Sequence, residues 1–341
     1  MKRKFNLLCV FIYAMIGIFC ISNSVFTEEQ KVLKLKYSNF FPPVHPISKL
    51  AEEWCKEIEK ATGGRVTFSY YPGNTLMPPT QSYDGVVKGI ADLGESLMAY
   101  SAGRFPLSGV FGLPVGFSSG YQVTKCINVF YKKFQPKELS DTKVMYLHGH
   151  GPGLIHTKKV IASLDDIKGM RIKVNAENAE IVKVLGGAPV TMPITEAYDA
   201  LSKGLLEGLQ LPMDTLEGWK FGEITKCTII NNAMSYTAPM FVVMNKEKWN
   251  LISKADQIAI EKINERWIEK QANLWNAMDK SAEKFALSKG AKIIRASKAD
   301  VAKTTEKMKA VFPVYLKDLK VKGLPGDEAL KFVMEYIKKN P

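Results

Sequence analysis

The chain is poor in cysteine and histidine, and it lacks the short motifs that mark common enzyme sites. Five cysteines and four histidines occur in 341 residues. No CxxC pair and no spaced Cys/His set typical of structural zinc is present. There is no GxSxG elbow, no HExxH and no Walker loop, and the segment GHGPG lacks the Lys-Ser/Thr ending of a phosphate loop. These absences favour a binding protein over an enzyme.

Long apolar runs are also absent, except at the N-terminus. There, Lys2, Arg3 and Lys4 precede an apolar run at residues 7–21, which is followed by small polar residues up to Ser24. This order is typical of a secretory signal peptide, and the run is short for a membrane span. We therefore predict a signal peptide at residues 1–24 and an exported mature chain. Phe19 argues against lipid attachment at the next residue, where a small neighbour is needed.

The mature chain would have 317 residues, a length that suits two α/β lobes. Its formal charge falls from +13 to +10, because the signal peptide carries three cations and no acid. The lysines are scattered rather than gathered with aromatic residues, so we expect a solvated basic surface and no nucleic-acid partner. Cys55, Cys126 and Cys227 remain. They do not form a disulfide framework, although one pair could form in an oxidising compartment.

The first hundred residues predict a βαβαβ unit. Leu33, Leu35 and Tyr37 alternate with lysines as a strand, a helix follows FPPVHP, and further strands are expected at residues 66–70 and 91–94. Such an order implies a parallel sheet, whose ligands bind beyond the carboxyl ends of its strands. The residues that this rule places near a cleft are Asn39, Phe40, His45 and Glu95.

Residues 163–212 predict the start of a second lobe and carry two cations close together. Arg171, Lys173 and Asn175 alternate with apolar residues, so a strand would place them on one face. Two cations on one strand suit an anionic ligand. A salt bridge from one of them to Asp165, Asp166 or Glu177 explains the pattern equally well, and spacing alone leaves both interpretations open.

A long helix is predicted near the C-terminus. Residues 253–289 contain neither glycine nor proline, and their apolar residues recur at helical spacing. A helix of 37 residues would be roughly 55 Å long. It would contact both lobes, whereas the alternative is two helices joined at a kink.

Histidines and aromatic residues supply the remaining candidates. His148, His150 and His156 could bind a metal, but no nearby acid or cysteine completes a set, and the glycines among them indicate close backbone approach. We therefore predict that this segment forms a wall of the cleft. Trp219 and Phe40 could stack on a ligand or belong to the core.

Six segments in order resemble one known family. They are FPPVHP, YYPGNTL, FPLSGVFGLPVGF, SLDDIKGMRIKV, GGAPVTMPITEAYDALSKGLLEGLQLP and MFVVMNKEKWNLI. Over nearly the whole mature sequence the chain resembles the periplasmic solute-binding subunit of tripartite ATP-independent (TRAP) transporters, the dicarboxylate-binding DctP family. The resemblance implies a two-lobed Venus-flytrap fold without a cofactor and a monomer in the periplasm. It also implies that the lobes close on an organic acid, which is passed to membrane subunits driven by an ion gradient.

Two positions depart from the family pattern. Its members usually carry an arginine where this chain has Lys173, and that arginine holds the ligand carboxylate. Either Lys173 takes over this role, or Arg171 does. Many relatives place a polar residue where this chain has Leu211, and Ile194 should also line the cleft. An aromatic or aliphatic monoacid is therefore as plausible a ligand as a dicarboxylate or a sugar acid.

These inferences define the predicted organisation and site. Lobe 1 comprises residues 25–148 and 236–275, and lobe 2 comprises residues 149–235 and 276–341. The predicted ligand-binding residues are Asn39, Phe40, His45, Glu95, His150, Arg171, Lys173, Asn175, Ile194, Leu211, Trp219 and Phe241. The alternative function is an exported enzyme acting on an organic acid, for which His45, His150 and Glu95 would be the acid–base candidates.

Overall fold

Eleven strands and eleven α-helices are present in a computed structural model that describes residues 32–341. The predicted signal peptide lies outside the described residues. The strands are β1 (Leu33–Asn39), β2 (Val66–Tyr71), β3 (Leu93–Leu97), β4 (Thr142–Gly149), β5 (Gly153–Thr157), β6 (Arg171–Val174), β7 (Ala188–Thr191), β8 (Gly208–Pro212), β9 (Cys227–Ile230), β10 (Pro239–Asn245) and β11 (Lys292–Arg295). The helices are α1 (Pro46–Ala61), α2 (Ser82–Val87), α3 (Gly120–Phe134), α4 (Ala179–Val184), α5 (Ile194–Ser202), α6 (Thr215–Gly218), α7 (Lys246–Asn250), α8 (Lys254–Ser288), α9 (Lys298–Met308), α10 (Val311–Val321) and α11 (Gly326–Lys339).

The first sheet has the strand order β2-β1-β3-β10-β4. As predicted, β1 lies parallel to both β2 and β3. The late strand β10 inserts antiparallel between β3 and β4, so the complete sheet is mixed. Because β10 comes after five strands of the other sheet, the chain enters the first lobe twice.

The second sheet has the order β11-β9-β5-β8-β6-β7. Here β6 lies parallel to β7 and β8, while β5 is antiparallel to β8 and β9. The carboxyl ends of β6 and β8 therefore meet at one edge of the sheet. Two lobes, each with a mixed sheet covered by helices, confirm the predicted α/β fold class.

The long helix is continuous, as the absence of glycine and proline predicted. Helix α8 spans 35 residues, about 52 Å at 1.5 Å per residue, and Ser253 caps its start by accepting a hydrogen bond from the Asp256 amide. It packs against α1, α3 and β4 in the first lobe and against α6 in the second. Trp54 Nε1 donates to Asn264 Oδ1 at 2.9 Å and helps to fix the helix on the first lobe.

Close backbone approach explains the glycines around the histidine segment. A Cβ atom added at Gly151 would lie 2.2 Å from Asp279 Oδ2, and one at Gly153 would lie 2.2 Å from the Tyr236 ring. Side chains at these positions would push α8 and the segment before β10 away from the segment that joins the two sheets. The prediction of close approach is confirmed.

The described residues also bear on two compositional questions. Cys55, Cys126 and Cys227 are all buried and unpaired in this structure. Among residues 32–341, no helix is both long and apolar enough to span a membrane.

Candidate functional site

A cavity lies between the two sheets and takes its walls from both lobes. It is lined by Phe40, Phe41, Leu97, Tyr100, His150, Lys173, Asn175, Ile194, Leu211, Pro212, Asp214, Thr215, Trp219, Tyr236, Met240 and Trp275. The space that the centre of a water molecule can occupy in this cavity is about 30 Å³. This is enough for about two water molecules. The lobes are closed on each other, so a ligand of organic-acid size would enter when they separate.

Lys173 is the cation of this cavity. Its side chain is fully buried, and Nζ donates to Asn175 Oδ1 at 2.9 Å. Among the described residues no carboxylate lies within the 4 Å of an ion pair with Nζ. Burial lowers the pKa of Lys173 to about 7, because the charged form is poorly solvated. A buried ammonium with a single amide partner can hold a ligand carboxylate.

Arg171 lies elsewhere, on the protein surface. Its side chain is 51% exposed, its Nε is 3.5 Å from Glu207 Oε2, and a terminal guanidinium nitrogen donates to the Gly204 carbonyl at 3.0 Å. It begins β6, whereas Lys173 lies near the carboxyl end that faces the cavity. The two cations share a strand without sharing a site, so the salt-bridge interpretation describes Arg171, but its partner is Glu207 rather than Asp165, Asp166 or Glu177.

Aromatic rings form most of the cavity wall. Phe40 stacks on Trp219 with ring centroids 6.1 Å apart and planes 19° apart. Trp219 belongs to the second lobe, so this stack joins the two sides. Phe41 lies 6.0 Å from Trp219 and 6.3 Å from Trp275. Such a wall favours a flat, apolar ligand body.

Glu95 and Asn39 lie behind the cavity wall and contact each other. Glu95 Oε2 accepts from Tyr37 Oη at 2.7 Å and from Asn39 Nδ2 at 2.5 Å, while Oε1 is 3.1 Å from His148 Nε2. The indole of Trp275 can only donate, so His148 Nδ1 accepts from it at 3.2 Å and His148 Nε2 carries the proton given to Glu95. Glu95 therefore orients the Trp275 ring through His148.

His45 and Phe241 also lie outside the cavity lining. His45 Nδ1 caps α1 by accepting from the Ile47 amide at 3.2 Å, and its ring packs 4.5 Å from Phe41. Burial lowers the pKa of His45 to about 3. Phe241 is fully buried against Tyr83 on the other face of β10. Successive residues of a strand point to opposite sides, so Met240 reaches the cavity instead.

The three histidines of the GHGPG region have separate environments. His150 lines the cavity, and its Nδ1 lies 2.6 Å from the Gly151 carbonyl. His156 contacts Thr228 Oγ1 and the Leu211 carbonyl, both at 2.9 Å. Burial lowers the pKa of both rings to about 4. Within residues 32–341, no group of three or more His, Cys, Asp or Glu side chains could hold a metal.

The other predicted residues lie in the cavity wall and near the contact between lobes. Asn175 directly follows β6, and Leu211 lies near the carboxyl end of the adjacent strand β8, so both line the cavity. The amide of Ile194 donates to Tyr100 Oη at 3.0 Å, a hydrogen bond from the second lobe to the first. Tyr100 and Ile194 thus line the cavity and hold it shut.

Several lining residues were missed by reading the sequence. Trp275 lies on α8 among core positions of the same spacing, and Tyr236 lies in the segment before β10, so neither carries a local signal of a site. Asp214 could have been noticed, because it follows β8 by two residues, at the strand end where ligands bind in α/β sheets. In the same way, Leu97 ends β3 and Tyr100 follows that strand by three residues.

Comparison with known families gives one match across most of the chain. A family model described as bacterial extracellular solute-binding protein, family 7 (DctP), matches residues 37–318.

Solved structures of similar proteins cover nearly all of the described chain. One is a TRAP solute-binding protein from a marine metagenome, specific for aromatic acid ligands and bound to metahydroxyphenylacetate; it is 27% identical, with a TM-score of 0.86 over 90% of this chain and 99% of that one. Another, from Rhodoferax ferrireducens, holds copurified benzoate; it is 27% identical, with a TM-score of 0.85 over 90% and 98% of the two chains. A third, from Bordetella bronchiseptica, holds mandelate; it is 26% identical, with a TM-score of 0.83 over 91% and 100%.

Proposed function

The chain belongs to family 7 of the bacterial extracellular solute-binding proteins, and from this membership we propose that it captures the anion of an aromatic carboxylic acid between its two lobes. It is a solute-binding protein of the TRAP type and not an enzyme. The ligand is then delivered to the membrane subunits of a TRAP transporter, which uses an ion gradient. Residues 1–24 direct export to the periplasm, and the mature protein acts as a monomer without a nucleic-acid partner.

One observation carries the proposal: a buried ammonium with no carboxylate partner among the described residues lies in a cavity walled by aromatic rings. Lys173 supplies the charge, and Phe40, Trp219 and Trp275 supply the flat surfaces. A monoanion with an aromatic body satisfies both features. The similar structures that hold benzoate, mandelate and metahydroxyphenylacetate support the same class of ligand.

Closure of the lobes explains how binding is communicated. The ligand carboxylate neutralises Lys173 where water is excluded, so the charge-assisted hydrogen bond is strong. The ring of the ligand packs against Phe40 of the first lobe and Trp219 of the second. Because these contacts exist only when the lobes are together, the ligand favours the closed state, which the membrane subunits can recognise.

The test compares the two cations of β6. A thermal-shift screen of organic acids, followed by calorimetry, should find an aromatic monocarboxylate that raises the melting temperature of the parent by mass action. Lys173→Met should weaken its binding by roughly thirty- to a thousandfold, about 2–4 kcal/mol, because the carboxylate loses a buried cation. Arg171→Met, the matched control on the same strand, should change the affinity less than about threefold. If Lys173→Met binds the acid as tightly as the parent does, Lys173 does not hold the ligand carboxylate.

A further inference from the structure

A second buried ionisable group lines the cavity beside the lysine. The side chain of Asp214 is 3% exposed, and its Oδ1 has no hydrogen-bond partner in the part of the chain that the structure describes. An unsatisfied buried polar atom costs free energy, so such an atom at a binding site calls for a partner. Asp214 precedes the short helix α6, but its side chain makes no capping hydrogen bond there.

Asp214 and Lys173 line the same cavity. Lys173 on β6 is paired with Leu209 on β8, and Asp214 follows the end of β8 by two residues. Both side chains therefore project from the carboxyl edge of two adjacent parallel strands. Among the described residues they form no ion pair with each other. A ligand between them meets a cation at one point and a carboxyl group at another.

Asp279 on the long helix influences the protonation state of the Asp214 carboxyl group. Its Oδ1 accepts a hydrogen bond from the Asp214 amide at 3.1 Å, which brings the two acids together. Burial and the neighbouring Asp279 raise the pKa of Asp214 well above its usual value. Burial also raises the pKa of Asp279. A protonated carboxyl group can donate and accept a hydrogen bond, and once the pair of acids has lost a proton, its negative charge disfavours a second negative charge nearby.

We infer that Asp214 is a second polar contact that selects a hydroxylated aromatic monocarboxylate. This inference rests on the proposed function: Lys173 holds the ligand carboxylate, and Asp214 exchanges a hydrogen bond with a hydroxyl group elsewhere on the same ligand. An acid without that hydroxyl leaves Asp214 unsatisfied. A dicarboxylate places its second charge against the two acids and is rejected. The same contact therefore favours ligands that have a hydroxyl group and disfavours ligands that have a second carboxylate.

The experiment measures a preference rather than a single affinity. Calorimetry compares benzoate with 2-, 3- and 4-hydroxybenzoate, phenylacetate with mandelate, and 3-hydroxybenzoate with isophthalate. In the parent, at least one hydroxylated acid should bind about tenfold more tightly than its unsubstituted counterpart, and isophthalate should bind more weakly than 3-hydroxybenzoate. Asp214→Ala should reduce that tenfold ratio to less than about threefold. Asp214→Asn, which retains a donor and an acceptor, should keep most of the preference.

The outcomes separate this inference from the proposed function. If the parent binds aromatic monoacids without preferring any hydroxylated one, or if Asp214→Ala keeps the full preference, the inference is overturned and the proposed function stands. If no aromatic monocarboxylate binds the parent, the proposed function fails and this inference fails with it. Because each comparison is a ratio measured within one variant, a general loss of folded protein does not imitate the expected result.

Discussion

Two buried polar clusters lie within the same pair of lobes, and they differ in whether their hydrogen bonds are complete. In the Glu95 cluster, Tyr37, Asn39 and His148 all direct polar atoms at one carboxylate. In the cavity, Lys173 has one amide partner, and Asp214 Oδ1 has none among the described residues. Complete bonding indicates a structural role, whereas incomplete bonding at a cavity indicates a ligand. Burial of a charged residue does not by itself distinguish the two.

The largest effect should come from breaking the complete cluster. Glu95→Ala would leave the hydroxyl of Tyr37, the amide of Asn39 and the His148 ring without their buried acceptor. At about 1–3 kcal/mol for each stranded group, we expect a loss of about 3–5 kcal/mol in the free energy of unfolding. Urea denaturation at pH 7 measures it.

Lys173→Met is the matched comparison for that stability experiment. It removes a buried cation that has a single hydrogen bond, so the variant should be at least as stable as the unliganded parent. A Glu95→Ala variant that loses less than about 1 kcal/mol, or a strongly destabilised Lys173→Met, would contradict the distinction between the clusters.

The second effect concerns pH and sharpens the role of Lys173. With its pKa lowered to about 7 in the unliganded protein, the ammonium loses its proton as the pH rises above that value. A bound carboxylate favours the charged form, so binding takes up a proton, and affinity should fall by up to about tenfold per pH unit above 7. Burial also raises the pKa of Asp279, so the pair that it forms with Asp214 gains negative charge as the pH rises and acts in the same direction. Calorimetry between pH 6 and pH 9 measures the slope.

Lys173→Arg provides the control for the pH experiment. A guanidinium stays protonated throughout this range, so the variant should bind the same acid with a flatter dependence on pH. Any dependence of affinity on pH that remains in this variant comes from the carboxyl pair of Asp214 and Asp279. A parent whose affinity does not change with pH, or an arginine variant with the full slope, would show that Lys173 does not titrate on binding.

The smallest of the three effects concerns the aromatic wall. Trp219→Ala removes the half-buried ring that stacks on Phe40, and it should weaken aromatic-acid binding by about five- to thirtyfold, or about 1–2 kcal/mol. Phe241→Leu is the control, because Phe241 is equally aromatic but packs in the first lobe away from the cavity. It should lower stability by about 1 kcal/mol and leave the dissociation constant within about twofold. Equal losses of affinity in both variants would contradict this assignment of the wall.

Local patterns in the sequence were sufficient to predict several helices and strands of the fold. Alternation predicted β1 and β2, and the run without glycine or proline predicted the single long helix. These features depend on neighbours within a few residues, which the sequence displays directly. The return of β10 to the first sheet depends on pairing with strands about 100 to 150 residues away. No pattern among neighbouring residues predicts this pairing.

The sequence by itself was sufficient to assign the chain to a carboxylate-binding family. It also indicated a cation on β6 and apolar residues near Leu211 as candidate ligand contacts. Only the tertiary structure decided which cation faces the cavity. Arg171 and Lys173 are two residues apart, so their periodicity is the same, but one begins the strand at the surface and the other lies near its buried carboxyl end. Only the fold brings Trp275 and Asp214 to the same cavity, since burial and hydrogen-bond partners are set by segments far apart in the chain.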